Sequence, residues 1–254
     1  MKKIVSLVLI CLFISSAIAQ RHGGNGEVKW LSLSIKGGYG GTVFFNQDVM
    51  SDQNVSVNYL SPSYSFGGRF GITYGDHFGI NIEPLWSGFS QEYSINNGTN
   101  PYNKTQKFTA FDLFVSLRYI SDYGFYVEAG PQFSTLKTAS VDNDIDDSFT
   151  DGNPLNEYKS NFAEKYTSIG AGLGFAAINS DRLQLFVGLR ANYSLGNFVE
   201  NSSYYVLNDE VYSPSGTFTA KTSPFTYKLM LELNYFFAFW GDASCGRGRL
   251  MFFQ

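Results

Sequence analysis

The sequence predicts an all-β chain: eight antiparallel strands, joined up and down, closed into a transmembrane β-barrel. Three observations carry this. Segments in which apolar and polar residues alternate recur eight times, the period-2 mark of strands. Tight turns and long polar loops alternate between them. One face of each strand is free of charge along the centre of strands two to eight, while the other holds small residues and a few charges of both signs.

Residues 1–19 read as a secretory signal peptide. Lys2 and Lys3 precede the apolar run 4–14, and Ala17-Ile18-Ala19 is a small-x-small cleavage site. The run is too short for the ~20 residues of a spanning helix. Ile10 before Cys11 does not fit lipoprotein processing. Residues 20–28 form a Gly-containing periplasmic leader, the barrel occupies 29–240, and 241–254 form a C-terminal tail.

The first strand, about 29–45, alternates Leu31, Leu33 and Ile35 with Ser32, Ser34 and Lys36. The second, about 62–74, sets Tyr64, Phe66, Phe70, Ile72 and Tyr74 against Ser65, Gly67, Arg69, Gly71 and Thr73. The third, about 77–93, opposes Phe78, Ile80, Ile82, Pro84 and Trp86 to Gly79, Asn81 and Glu83. In the fourth, about 107–120, Phe111, Leu113, Val115, Leu117 and Tyr119 oppose Asp112, Ser116 and Arg118. The fifth, about 124–134, places Glu128 among glycines opposite Phe125, Val127, Ala129, Pro131 and Phe133; Pro131 removes one ladder bond and suggests a bulge. The sixth, about 166–178, sets Ile169, Ala171, Leu173 and Phe175 against Ser168, Gly170, Gly172 and Gly174. The seventh, about 183–197, carries Gln184, Gly188, Arg190, Asn192 and Ser194 on its polar face. The eighth, about 224–239, carries Thr226, Lys228, Glu232 and Asn234. Short turns fall at 75–77, 121–124 and 179–182. Long loops fall at 46–61, 94–106, 139–165 and 198–223. This asymmetry is that of bacterial outer-membrane barrels.

The alternative is a soluble lipocalin or β-sandwich, with the apolar face inside. The charges decide between them. A water-facing sheet carries many long charged side chains, whereas a narrow lumen needs small residues and charges that neutralise one another. The polar face offers Arg69, Arg118, Arg190 and Lys228 against Glu83, Asp112, Glu128 and Glu232, with Lys36 near one end. A lipid face excludes charge, at about 2–4 kcal/mol for Arg or Lys at midplane. These eight residues are the candidate site: a lumenal ion-pair network, read as a structural plug in preference to a narrow gated pore. Aromatics near the strand ends, among them Tyr74, Phe78, Tyr119, Phe125, Phe237, Phe239 and Trp240 at one end and Tyr64, Trp86, Phe111, Phe133, Tyr193 and Phe225 at the other, fit interfacial girdles.

The stretches "YVEAGPQFS", "LRYISDYGFY", "VGLRANYSLGNF" and "LELNYFFAF" resemble the outer-membrane β-barrel family of Bacteroidota, described as porin-family or PorT-like. The resemblance spans the mature chain. It implies insertion by the barrel-assembly machinery, with the alternation Leu231-Leu233-Tyr235-Phe237-Phe239 similar to its recognition signal. It also implies a cell outer membrane location, and for PorT-like relatives an accessory role in protein secretion. Relatives stop at a terminal aromatic; here "GDASCGRGRLMFFQ" follows.

Other signals are weak. With Lys2 and Lys3 removed, the formal charge of −4 becomes −6, which disfavours nucleic acid. Cys245 alone remains after cleavage and forms no internal disulfide. His22 and His77 lie away from the outer rim, so no Ser–His pair is expected there and no enzyme is read. "DNDIDD" (142–147) starts like a calcium loop but has Asp147 where Gly is needed and Asn153 in place of the bidentate Glu; a solvated acidic loop is the other reading. Asn-x-Ser/Thr at Asn54, Asn97, Asn103 and Asn201 is polar loop composition in a bacterial protein. No cofactor or metal is expected. The expected partners are outer-membrane lipid and lipopolysaccharide, and surface proteins through loops 139–165 and 198–223.

Overall fold

The computed structural model describes residues 28–74, 77–96, 98, 101–143, 159–180, 182–200, 220–242 and 248–252. The signal peptide, the leader up to residue 27, the centres of loops 139–165 and 198–223, most of the acidic 142–147 motif and Cys245 lie outside the described residues, as do the side chains of Phe239 and Trp240.

Eight strands close a ring. They are β1 (Val28–Phe45), β3 (Ser61–Tyr74), β4 (Phe78–Asn96), β5 (Pro101–Ile120), β6 (Phe125–Asn143), β7 (Lys165–Asn179), β8 (Leu183–Ser194) and β9 (Ser223–Asp242). Each pairs antiparallel with its neighbour, and β1 pairs with both β3 and β9. Closure leaves no open edge, which a sheet in hydrocarbon requires. From Lys36 the register runs through Gly67, Leu85, Asp112 and Ser134 to Tyr166 on β7. The other way, through Glu232 and Phe186, it reaches Ala176, ten residues further along β7. That offset is the stagger of the barrel, and it tilts the strands.

The polarity is inverted relative to a soluble sheet. Ile35 is 69% exposed and Lys36 beside it 4%. Leu33, Phe66, Ile80, Leu117, Phe133, Leu173, Leu189 and Leu231 all face outward, while Ser34, Arg69, Glu83, Arg118, Glu128, Arg190 and Glu232 are buried. The short-turn end contains 121–124, where Gly124 takes φ +78 and its N–H donates to the Ser121 carbonyl (2.9 Å). A left-handed residue closing such a hairpin favours glycine.

Several predicted loops prove to be structured. Polar composition set 94–106 apart as a loop, but β4 and β5 remain paired up to Asn96 and Pro101. About ten tilted residues cross the hydrocarbon, so these strands of 19 and 20 residues project well beyond it. Their outer face meets water there and is polar. Their inner face carries an apolar cluster, in which Tyr93, Ile95 and Tyr102 pack with Val43, Val49 and Val57, beside the buried Gln91, Lys104 and Gln106. Val49 belongs to α1 (Gln47–Ser51), capped by the Asn46 side chain, which accepts from the N–H groups of Asp48 and Val49. Val57 belongs to β2 (Val55–Val57), which pairs with β4 above the end of β3. Loop 46–61 is therefore a cap over the projecting hairpin.

Pro131 carries no bulge. The β5–β6 ladder skips Gly130 and Pro131 and resumes in the same register. The bulge lies higher, at Lys137–Thr138, so that Leu136 and Ala139 both point inward. The tail also differs from expectation. β9 runs to Asp242, and β10 (Gly248–Phe252) pairs with its last five residues. β8 ends its pairing at Tyr235, so β10 covers a β9 edge that would otherwise be unpaired.

Candidate functional site in the barrel lumen

The interior is layered. Alternation within each strand sends one side chain in two inward, and the stagger decides which of these meet.

At the centre, three carboxylates are held by four cations. Lys36 is the hub: its Nζ lies 3.0 Å from Glu83, 3.1 Å from Glu232 and 3.5 Å from Glu128. Arg118 binds Glu232 through two parallel N–H bonds (2.9 and 2.8 Å) and Glu128 through Nε and Nη2 (3.0 and 2.7 Å). Arg190 donates to Glu83 Oε2 at 2.7 Å and to Glu128 Oε1 through Nε at 3.0 Å and through Nη2. Arg69 reaches Glu232 at 3.2 Å, and it also donates to Ser32, Ser34, Asn81 and Asn234. Forked guanidinium–carboxylate bonds of this kind satisfy several donors at once, as burial demands.

Six of the eight candidate residues therefore meet: Arg69, Glu83, Arg118, Glu128, Arg190 and Glu232. Lys36, set apart in the sequence as lying near one end, joins all three carboxylates. Asp112 and Lys228 do not join them. Asp112 accepts from the Ser87 hydroxyl at 2.6 Å. Lys228 is buried and forms no ion pair among the described residues. Both lie on the long-loop side of the cluster. There Thr42 Oγ1, Ser63 Oγ, Asp112 Oδ1 and Asn192 Oδ1 have no protein hydrogen-bond partner, and water ordinarily satisfies such groups.

Aromatic rings close the lumen on both sides of this zone. Toward the short turns, Tyr126 and Phe186 meet edge to face at 5.5 Å, with the Arg118 guanidinium 4.5 Å from the Tyr126 ring centroid. Phe114 takes the Arg190 guanidinium at 4.2 Å. Stacking suits arginine because the guanidinium is flat and weakly hydrated. The Tyr126 ring fits because β7 and β8 carry glycine beneath it: the Tyr126 hydroxyl fills the space that a Cβ at Gly188 would need.

Toward the long loops, Phe44, Phe89, Phe108, Phe162 and Phe198 form one cluster, with Phe108 4.9 Å from Phe162 and 5.2 Å from Phe198. Phe162 and Phe198 come from segments before β7 and after β8 that fold over the mouth. Main-chain bonds stitch them down: Ala163 N–H to Phe198 O (2.9 Å), Glu200 N–H to Asn161 O (3.0 Å) and Phe198 N–H to Thr222 O (2.9 Å). Sequence reasoning missed this plug. The inward phase of Phe108, Phe114 and Phe186, each in step with Asp112 or Arg190 on its own strand, is the signal that would have found them.

His77 is at a short turn, with Nδ1 2.9 Å from Ile120 O. Among the described residues no group of three His, Cys, Asp or Glu side chains is placed to hold a metal ion.

A closed antiparallel sheet, apolar outside and ion-paired inside, defines a transmembrane β-barrel with a filled lumen. The chain belongs to the outer membrane protein β-barrel domain family, whose model matches residues 18–200, and it resides in the outer membrane. Solved structures of similar fold include the outer membrane protein OprG of Pseudomonas aeruginosa (11% identity, TM-score 0.43, 83% of this chain and 97% of that one). Neisserial surface protein A is another (14%, TM-score 0.40, 84% and 99%), as is Ail, the attachment invasion locus protein of Yersinia pestis (9%, TM-score 0.39, 80% and 98%). No curated protein sequence matches the chain.

Proposed function

We propose that the protein is a non-enzymatic barrel that conducts no solute in its resting state, stabilises the envelope, and offers its capped extracellular end to surface partners. One observation supports this above the others: the lumen is closed twice, by the Lys36–Arg118–Arg190 ion cluster and by the Phe108–Phe162–Phe198 plug. Passage of even a small ion would require breaking charge-assisted bonds and displacing close-packed rings. The two segments of the plug are hydrogen-bonded to each other, and the Leu136 N–H of β6 donates to Glu164 O beside them (2.8 Å), which suits a fixed surface better than a mobile gate.

The test is conductance of the full chain in planar bilayers. Flat traces over a range of voltages of both signs are expected; discrete single-channel steps would replace this reading with the narrow pore. The PorT-like resemblance supplies the remaining alternative, an accessory role in protein secretion. Unchanged secretion in a deletion strain removes that role and leaves the structural one.

A further inference from the structure

We propose that the outward patch formed by Lys137, Thr138 and Lys165, with Lys107 at its margin, docks the phosphate of an outer-leaflet glycolipid. The patch owes its shape to the β6 bulge. Regular alternation would send only one of two consecutive residues outward, yet Lys137 and Thr138 are both exposed between the fully buried Leu136 and Ala139. Bulges commonly re-aim side chains in this way.

Register brings the rest together. Lys165 pairs across from Thr135, two residues below Lys137 on the same face, within the reach of diagonal neighbours. Thr109 and Thr138 lie opposite each other with their hydroxyls 2.6 Å apart. Lys107 pairs with Ser140 one step higher. Among the described residues the carboxylates here are Asp142, which is bonded to Lys107, and Glu164, exposed beside Lys165. Lys137 and Lys165 are thus exposed ammonium groups, Lys137 beside the Thr109 and Thr138 hydroxyls and Lys165 beside Glu164.

The height fits one occupant. Directly below the patch, Phe111, Phe133 and Ile169 face hydrocarbon at 40, 50 and 53% exposure. A molecule whose phosphate meets the lysines and whose acyl chains lie on these side chains is a membrane lipid. Lysine is a compact charge with three donors, suited to a phosphate, and it is strongly attracted to an anionic lipid surface. This inference rests on the outer-membrane placement and is independent of whether the lumen conducts.

The experiment is native mass spectrometry of the full chain in mild detergent, titrated with bisphosphorylated lipid A. A saturable one-to-one adduct is expected. Each of K137Q and K165Q is expected to weaken it about fivefold, and the pair about 25-fold, as for loss of one lysine near an anionic surface. K221Q removes a rim lysine two strands away and is expected to change nothing. Equal binding of dephosphorylated lipid, or of the double variant, overturns the proposal. So does an equal loss in K221Q, which means diffuse charge, or displacement by millimolar inorganic phosphate, which means a free-anion site. Heat-modifiable mobility verifies folding; if the double variant does not fold, the two single variants decide.

Discussion

Glu232→Gln is the sharpest probe of the ion cluster. Glu232 accepts two bonds from Arg118 at 2.9 and 2.8 Å and lies 3.1 Å from Lys36 and 3.2 Å from Arg69. Glutamine keeps the shape and one acceptor oxygen but removes the charge. Lys36, Arg69, Arg118 and Arg190 are then left with only Glu83 and Glu128. Breaking a buried pair by removing one partner costs about 3–5 kcal/mol, because the other charge stays buried and uncompensated. With a denaturant slope of about 3 kcal/mol per molar urea, the unfolding midpoint falls by about 1–2 M. The assay is urea unfolding of the barrel in lipid vesicles, followed by tryptophan fluorescence and by loss of heat-modifiable mobility. Lys107→Gln is the comparison. Its pair with Asp142 is exposed, and exposed pairs are worth about 0–1 kcal/mol. Equal midpoints for the two variants would refute the claim that the cluster holds the barrel together.

Three further outcomes are expected. Gly188→Val drives a side chain into the space held by the Tyr126 hydroxyl; overpacking of this kind costs about 1–3 kcal/mol, read as a lower urea midpoint. Phe108→Ala removes the ring at the centre of the plug and costs about 3–5 kcal/mol, yet planar bilayers stay silent because the ion cluster below is intact. Labels at Leu113 and Leu189, which face outward, are reached by lipid-soluble quenchers, whereas labels at Ser116 and Asn192, which face inward, are not.

Much of the architecture was legible along the chain. A strand sends alternate side chains to opposite faces, so Ile35 beside Lys36, or Leu117 beside Arg118, declares which side is lipid from adjacent residues alone. Strand count, strand direction and the inward set of charges follow from that local rule. Three things did not follow from it. Lys36 binds Glu83, Glu128 and Glu232 from three other strands, and only the stagger of the closed sheet brings them to one height. Residues 94–106 looked like a loop because outward positions become polar once a strand leaves the membrane; pairing and the α1–β2 cap decide that they remain a sheet. Alternation turns Phe108 inward and Phe111 to lipid, but that Phe108 meets Phe162 and Phe198, from the segments before β7 and after β8, does not follow from it. Alternation tells a residue its face, whereas register, stagger and the Lys137–Thr138 bulge tell it its neighbours. Those are properties of the whole ring of strands, and they exist only when it closes.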